Sequence, residues 1–299
     1  MKYIMDISEH NSTEKRKVWV EDGKVRYTSL PTKYQGIMKV CSNRFMTQPG
    51  NVMIDNQVVS YFERNEGISY IKQMLLFGYS TFIQRISIDY ESETDQILSY
   101  TRQMLNPSPI DYALAVSIPL SRVTESWLRK LKQQSISFVV FEISSVEEMK
   151  ETPWQRLIEA MFPKRILCIG EPSRTIESEK EKKEIYDSWL QVVETFRINS
   201  YLSVPNNWTP LPPLLLMRLG LYPQKGVLIM GSDADYMMYS LNGEKKPFDF
   251  PEIIVNKGKV IKAGQRWEIK EGSGEELTNL IPEKMIPIND VFRYSDQSL

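Results

Sequence analysis

Leu219-Gly220-Leu221-Tyr222-Pro223-Gln224-Lys225-Gly226, followed by Gly231-Ser232-Asp233-Ala234-Asp235, is the stretch on which the reading of this chain turns. Just before it, LPPLLLMRL (211–219) reads as a proline-led last helix. From Gly226 onward the helical period disappears. GVLIMGSDADYMMYSL, EIIVNKGKVIKAG and QRWEIK read as short antiparallel strands, with Asn256-Lys257-Gly258 as a turn. Asp233 and Asp235 read as turn residues whose side chains bond nearby backbone amides. The residues from Glu271 are polar and read as peripheral.

Upstream, strands and helices alternate. NVMIDNQVVSYF (51–62), YSTFIQRISID (79–89), DYALAVSIPL (111–120), ISFVVFEIS (136–144), RILCIGEP (165–172) and INSYLSV (198–204) read as six strands. The segments between them carry apolar residues at helical spacing, such as Ile68, Ile71 and Leu75, or Val123, Trp127, Leu128 and Leu131. Thr152-Pro153 reads as a helix start, and a long helix is expected over about 176–197. Alternation of this kind implies parallel pairing through right-handed crossovers. Unbroken apolar strands such as ALAV and FVVF fit a sheet covered on both faces. Residues 1–48 are strand-like again, with RKVWVEDGKVRYTS (16–29) folding back around Asp22-Gly23.

Three segments together resemble the amidohydrolase superfamily, whose dihydroorotase-like and hydantoinase-like members share this chain order. Val20-Glu21-Asp22-Gly23-Lys24-Val25 is similar to the v-x-D-G-K-I hairpin near their N-termini. Pro49-Gly50, followed by Val52 and an acid, resembles the P-G-x-x-D-x-H-x-H segment that opens the first barrel strand. The stretch from Leu219 to Asp235 is similar to the G-L-x-x-x-K-G-x-I-x-x-G-x-D-A-D signature after the last barrel helix, and Gly78-Tyr79-Ser80-Thr81 to the G-x-T-T before the second strand. The resemblance implies an α/β chain: a shortened or incomplete TIM-like β/α barrel of about six units over 50–219, plus a small β-sandwich built from 1–49 and 220–299. A closed eight-stranded barrel takes about 250 residues, so two units are missing. An open sheet needs its edges covered by a helix, by the β domain or by a second copy of the chain, so a homodimer is expected.

The family's chemistry needs histidines, which supply most of its metal ligands. This chain has one, His10, ahead of the first hairpin. The two histidine slots of the first strand hold Asp55 and Gln57, or Gln57 and Val59 if the alignment slides. Other strand ends offer Asp89, Glu142 and Glu171. Asp55, Gln57, Asp89, Glu142 and Glu171 are therefore the candidate ligand-binding residues, with no catalytic residue, metal or cofactor assigned. Two readings stay open. One is a catalytically inactive amidohydrolase-like protein with a binding, regulatory or scaffold role. The other is a divergent hydrolase of amide or other C–N bonds that uses carboxylates and a hard divalent metal.

Composition limits the alternatives. The 37 basic and 38 acidic residues give a net charge of -1, so no surplus is available for nucleic-acid phosphates. No apolar run approaches the ~20 residues that span a bilayer, and no secretory leader is evident, so a cytoplasmic protein is expected. Cys41 and Cys168 sit in strand-like contexts and read as buried free thiols. The run ESEKEKKE (177–184) reads as the wet face of a helix rather than a contact patch.

Overall fold

The computed structural model describes residues 2–7, 16–28, 37–241 and 249–287; His10 lies outside them. The N-terminal strands β1 (Lys2–Ile7), β2 (Arg16–Glu21), β3 (Lys24–Thr28) and β4 (Met38–Val40) form one sheet in the order β3-β2-β1-β4. β5 (Phe45–Pro49) leaves this sheet for the one formed by the late strands. A single residue, Gly50, then separates it from β6 (Asn51–Asp55), the first strand of the parallel sheet.

The parallel sheet continues through α1 (Val58–Glu63), α2 (Gly67–Leu76), β7 (Tyr79–Ser87), α3 (Thr94–Leu105), β8 (Asp111–Pro119), α4 (Glu125–Gln133) and β9 (Phe138–Ile143). Two short helices, α5 (Val146–Glu151) and α6 (Trp154–Met161), lead to β10 (Leu167–Pro172) and the long α7 (Glu179–Phe196). The order is β10-β9-β8-β7-β6, every pair parallel. The sheet is thus a curled half-barrel of five strands, not six. The segment 51–62 is a strand only to Asp55, whose carboxylate Oδ1 accepts the Gln57 amide at 2.5 Å and turns the chain into α1.

The expected sixth strand, 198–204, does not form. Its one backbone bond to the sheet is Cys168 N–H to Asn199 O, 2.9 Å, at the β10 edge. The chain then crosses to the other edge, where Leu211 N–H bonds Val52 O at 2.8 Å. There it enters α8 (Pro213–Leu219). Leu214, Leu215, Leu216 and Leu219 fill the inner face of the curl against Val52, Ile54, Ile83, Ala113, Ala115, Phe138, Val140, Leu167 and Ile169. One helix thus takes the place of the missing strands. Each sheet edge thus receives one backbone bond from within the chain. The outer face carries the usual helix layer, with Trp127 and Trp189 fully buried.

After α8 the strands β11 (Tyr236–Ser240), β12 (Ile253–Asn256), β13 (Lys259–Ala263) and β14 (Arg266–Trp267) form an antiparallel sheet ordered β14-β13-β12-β11-β5. It faces the N-terminal sheet across Tyr3, Met5, Ile7, Val18, Val20, Tyr236, Met238 and Val255, as a sandwich. Two of the segments that carry the resemblance meet here. Asp22-Gly23 turns with positive φ at both residues, and Gly23 O accepts the Ala234 amide at 2.8 Å. A Cβ on Gly23 would stand 2.8 Å from Lys257 O, so no larger residue fits.

The described part of the tail, to residue 287, is not peripheral. Glu275 O and Leu277 N bond the backbone of Tyr112, Arg102 pairs with Glu276, and Leu277 and Leu280 pack on the inner leucine cluster. Gly220, left-handed at the end of α8, would place a Cβ 2.5 Å from the Ile281 backbone. Among the described residues no helix is long and apolar enough to cross a membrane. Cys168 is buried as expected, but Cys41 is exposed.

If α8 holds the curl together, Leu215→Ala costs about 2–5 kcal/mol in chemical denaturation, because Leu215 is fully buried. Met230→Ala, at an exposed position, changes stability by less than about 0.5 kcal/mol. Equal effects from the two would remove α8 from the core.

Candidate functional site

Function in open parallel sheets gathers at the carboxyl ends of the strands. Alternation along the strands decides which side chains reach the concave face there. Val140 and Ile169 point inward, so Glu142 and Glu171 do as well. They are direct partners in the β9–β10 register. Arg85 and Ser117 follow Ile83 and Ala115 on the same face. Arg85 Nη2 lies 2.7 Å from Glu171 Oε2, and Arg85 Nε donates to Ser117 Oγ at 2.6 Å. This ion pair spans three strand intervals, roughly 14 Å on a flat sheet. It closes because the sheet curls, and it forms the polar lid above the apolar inner cluster.

The other three candidates lie elsewhere. Asp55 faces the helix layer beside Met53. Fully buried, it accepts from Tyr70 Oη at 2.8 Å as well as from the Gln57 amide. Gln57 is exposed at the start of α1. Asp89 is exposed beyond the end of β7, and Arg122 donates to its backbone carbonyl. Glu142 and Glu171 alone are brought together. Arg85 and Ser117, which complete the group, are absent from the candidate set. The periodicity that puts Arg85 two residues beyond inward Ile83 was the available signal. Among the described residues no group of three or more His, Cys, Asp or Glu side chains is placed to hold a metal ion.

A second polar cluster lies at the opposite, amino-terminal end of the sheet. The Lys225 ammonium, almost wholly buried, meets Asp235 Oδ2 at 2.6 Å, Asp111 Oδ2 at 2.7 Å and Asp233 Oδ2 at 2.9 Å. Lys257 Nζ reaches Asp111 Oδ1 at 2.8 Å, and its backbone N–H bonds Asp235 Oδ1 at 2.7 Å. The motif aspartates thus serve a buried ion cluster rather than only their own turn. Burial alone would lower the Lys225 pKa, but the carboxylates of Asp235, Asp111 and Asp233 outweigh it and hold the ammonium charged well above the ordinary lysine range. For Asp111, burial is likewise overcome by Lys225 and Lys257, and its pKa is lowered. For Asp235 burial wins and the pKa is raised. Each ammonium hydrogen of Lys225 has a carboxylate, so no donor is left to act on a ligand. The cluster is structural.

No described protein family matches the sequence, and no curated protein is similar to it. Solved structures are similar in fold. A dihydropyrimidinase from Brevibacillus agri superposes with a TM-score of 0.69 over 94% of this chain and 99% of its own, at 10% identity. An L-hydantoinase (dihydropyrimidinase) from Arthrobacter aurescens gives 0.64 over 93% and 100%, at 13% identity. An atrazine chlorohydrolase from Arthrobacter aurescens, in complex with zinc, gives 0.52 over 89% and 96%, at 10% identity. The chain therefore shares the fold of these proteins, with an incomplete barrel and a small β-sandwich. Its described residues present no metal-binding group.

Two predictions test these clusters. Lys225→Met removes the ammonium shared by Asp111, Asp233 and Asp235, leaves buried Asp235 without a cation and Asp111 with Lys257 alone, and lowers stability by about 3–5 kcal/mol, read by urea unfolding at neutral pH. An effect near zero would show that Lys225 is not buried among them. Asp55 has its pKa raised, first by burial, against the hydrogen bonds it accepts. Its neutral form favours the fold at low pH, and that contribution is lost as pH rises through the raised value. Asp55→Asn should therefore gain in Tm relative to the native chain between pH 4 and pH 7, about the range above the ordinary aspartate value. A gap that is flat or reversed across that range contradicts the raised pKa.

Proposed function

We propose that this chain is a catalytically inactive amidohydrolase-fold protein with a binding, regulatory or scaffold role. The observation that supports the reading is the Arg85–Glu171 ion pair at the strand ends. A divalent cation placed there would stand beside a fixed guanidinium, with one of two nearby carboxylates already neutralised. Neither the charge nor the donor set fits a zinc centre, which draws on imidazole or thiolate ligands and keeps an open position for water. Nor do Glu142 and Glu171 form a free acid/base pair, since Glu171 is occupied. A cytoplasmic location belongs to the same reading, as does the division of the chain into a barrel unit over 50–219 and a sandwich from the two flanking parts.

The test uses purified protein. Elemental analysis should find zinc, manganese and iron well below one ion per chain. Hydantoin, dihydrouracil and a panel of acyl amides should show no turnover above a boiled control. Chelator-sensitive turnover that disappears in Glu142→Gln would instead support the divergent hydrolase and sink the proposal.

A further inference from the structure

Helix α5 does not close the surface around it. Only Met149 of its six residues is buried, and its start is held by Ser145 Oγ accepting the Glu148 amide. Between α5 and α7 lies a cavity of about 730 Å³ whose apolar lining is Val146, Ile176 and Ile185. A second cavity, of about 280 Å³, continues it toward the end of α7 over Met149, Trp154, Val192 and Phe196. Both are lined by Val146, Lys150 and Ser188, so they form one trench. Along α7, from Glu181 to Phe196, its length is about 22 Å.

Carboxylates line the trench at one end only. Glu147, Glu181, Glu184 and Asp187 line the wider cavity, opposed by Lys150 alone. Glu184 meets Lys180 at 3.8 Å with both side chains exposed, and the other three carboxylates enter no ion pair among the described residues. Glu125, by contrast, is held by both Arg129 and Arg156. The expected wet face of 177–184 is thus also one wall of a groove with an apolar floor.

We propose that this trench docks a short amphipathic helix of a partner protein, its apolar face laid along α7 and its basic residues over the acidic end. The charge complementarity selects the partner: with Glu184 shared with Lys180, the three carboxylates of Glu147, Glu181 and Asp187 outnumber the Lys150 ammonium and favour a basic helix over an acidic one. The length suits a helix of about 15 residues. The proposal goes beyond the reading of the strand ends and uses none of Arg85, Ser117, Glu142 or Glu171.

The test measures anisotropy of a fluorescein-labelled Leu/Lys amphipathic helix of about 15 residues, beside its Leu/Glu counterpart, on the full chain. Saturable binding of the basic helix is expected, with no binding of the acidic one. The variant E181K/E184K/D187K should weaken it at least tenfold, roughly the effect of reversing several rim charges. E93K/E268K/E271K, with the same change of net charge elsewhere, should not. Amide exchange should slow over 146–151 and 185–196 in the complex. No binding, equal binding of both helices, equal losses in the two triple variants, or protection elsewhere would each overturn the proposal. Should the trench triple variant fail to fold, D187K alone carries the comparison, with circular dichroism as the check.

Discussion

The architecture depends on one buried ammonium. Lys225 comes from the segment that leaves α8, Asp111 opens β8, and Asp233 and Asp235 lead into β11. A charge taken out of water is tolerated only when it is paired and its hydrogen bonds are made. Each of these groups therefore fixes the others. A shift of the sandwich against the parallel sheet would strand several carboxylates without a counter-ion. Lys257 and Glu275 extend the tie to the β12–β13 hairpin and the tail. The signature Lys-Gly…Asp-Ala-Asp is thus a joint between two sheets. It lies at the end of the parallel sheet away from Arg85 and Glu171, and this separates the elements that keep the fold from those that would carry a site.

The half-barrel raises a physical problem, and α8 resolves it. A curled sheet of five strands exposes an apolar concave face and two unpaired edges. Leucines on α8 fill the face, and single backbone bonds from Asn199 and Leu211 meet the edges. A helix answers its own hydrogen bonds, so it can enter an apolar hollow where an unpaired strand cannot. The polar layer of Arg85, Ser117 and Glu171 then seals the carboxyl end of the hollow.

The architecture was legible because its signals are local or periodic. Asp22-Gly23, the strand–helix alternation and the late switch to short strands each follow from turn chemistry and burial. The failures were tertiary. INSYLSV has strand composition, but its neighbours offer no ladder beyond one bond to Cys168. NVMIDNQVVSYF has apolar residues on both sides of Asp55-Asn56-Gln57, and there Asp55 turns the chain into a helix. Helix α5 was overlooked although Ser145 and Glu148 stand at the spacing of an N-terminal cap. Of the five candidates, Glu142 and Glu171 are neighbours in the β9–β10 register, while Asp55 is buried toward the helix layer and Gln57 and Asp89 are exposed. Arg85 escaped because an arginine in a strand reads as surface; its burial depends on a carboxylate 86 residues later, and no local pattern encodes that.

The route of the tail has a temporal meaning. Leu277 and Leu280 cover part of the concave face, and Glu275 to Leu277 add to β8, a strand synthesised more than 150 residues earlier. During translation the nascent parallel sheet must wait with that surface uncovered until these last segments leave the ribosome. Through the interval between emergence of β8 and arrival of this neighbour, the uncovered concave face is open to aggregation.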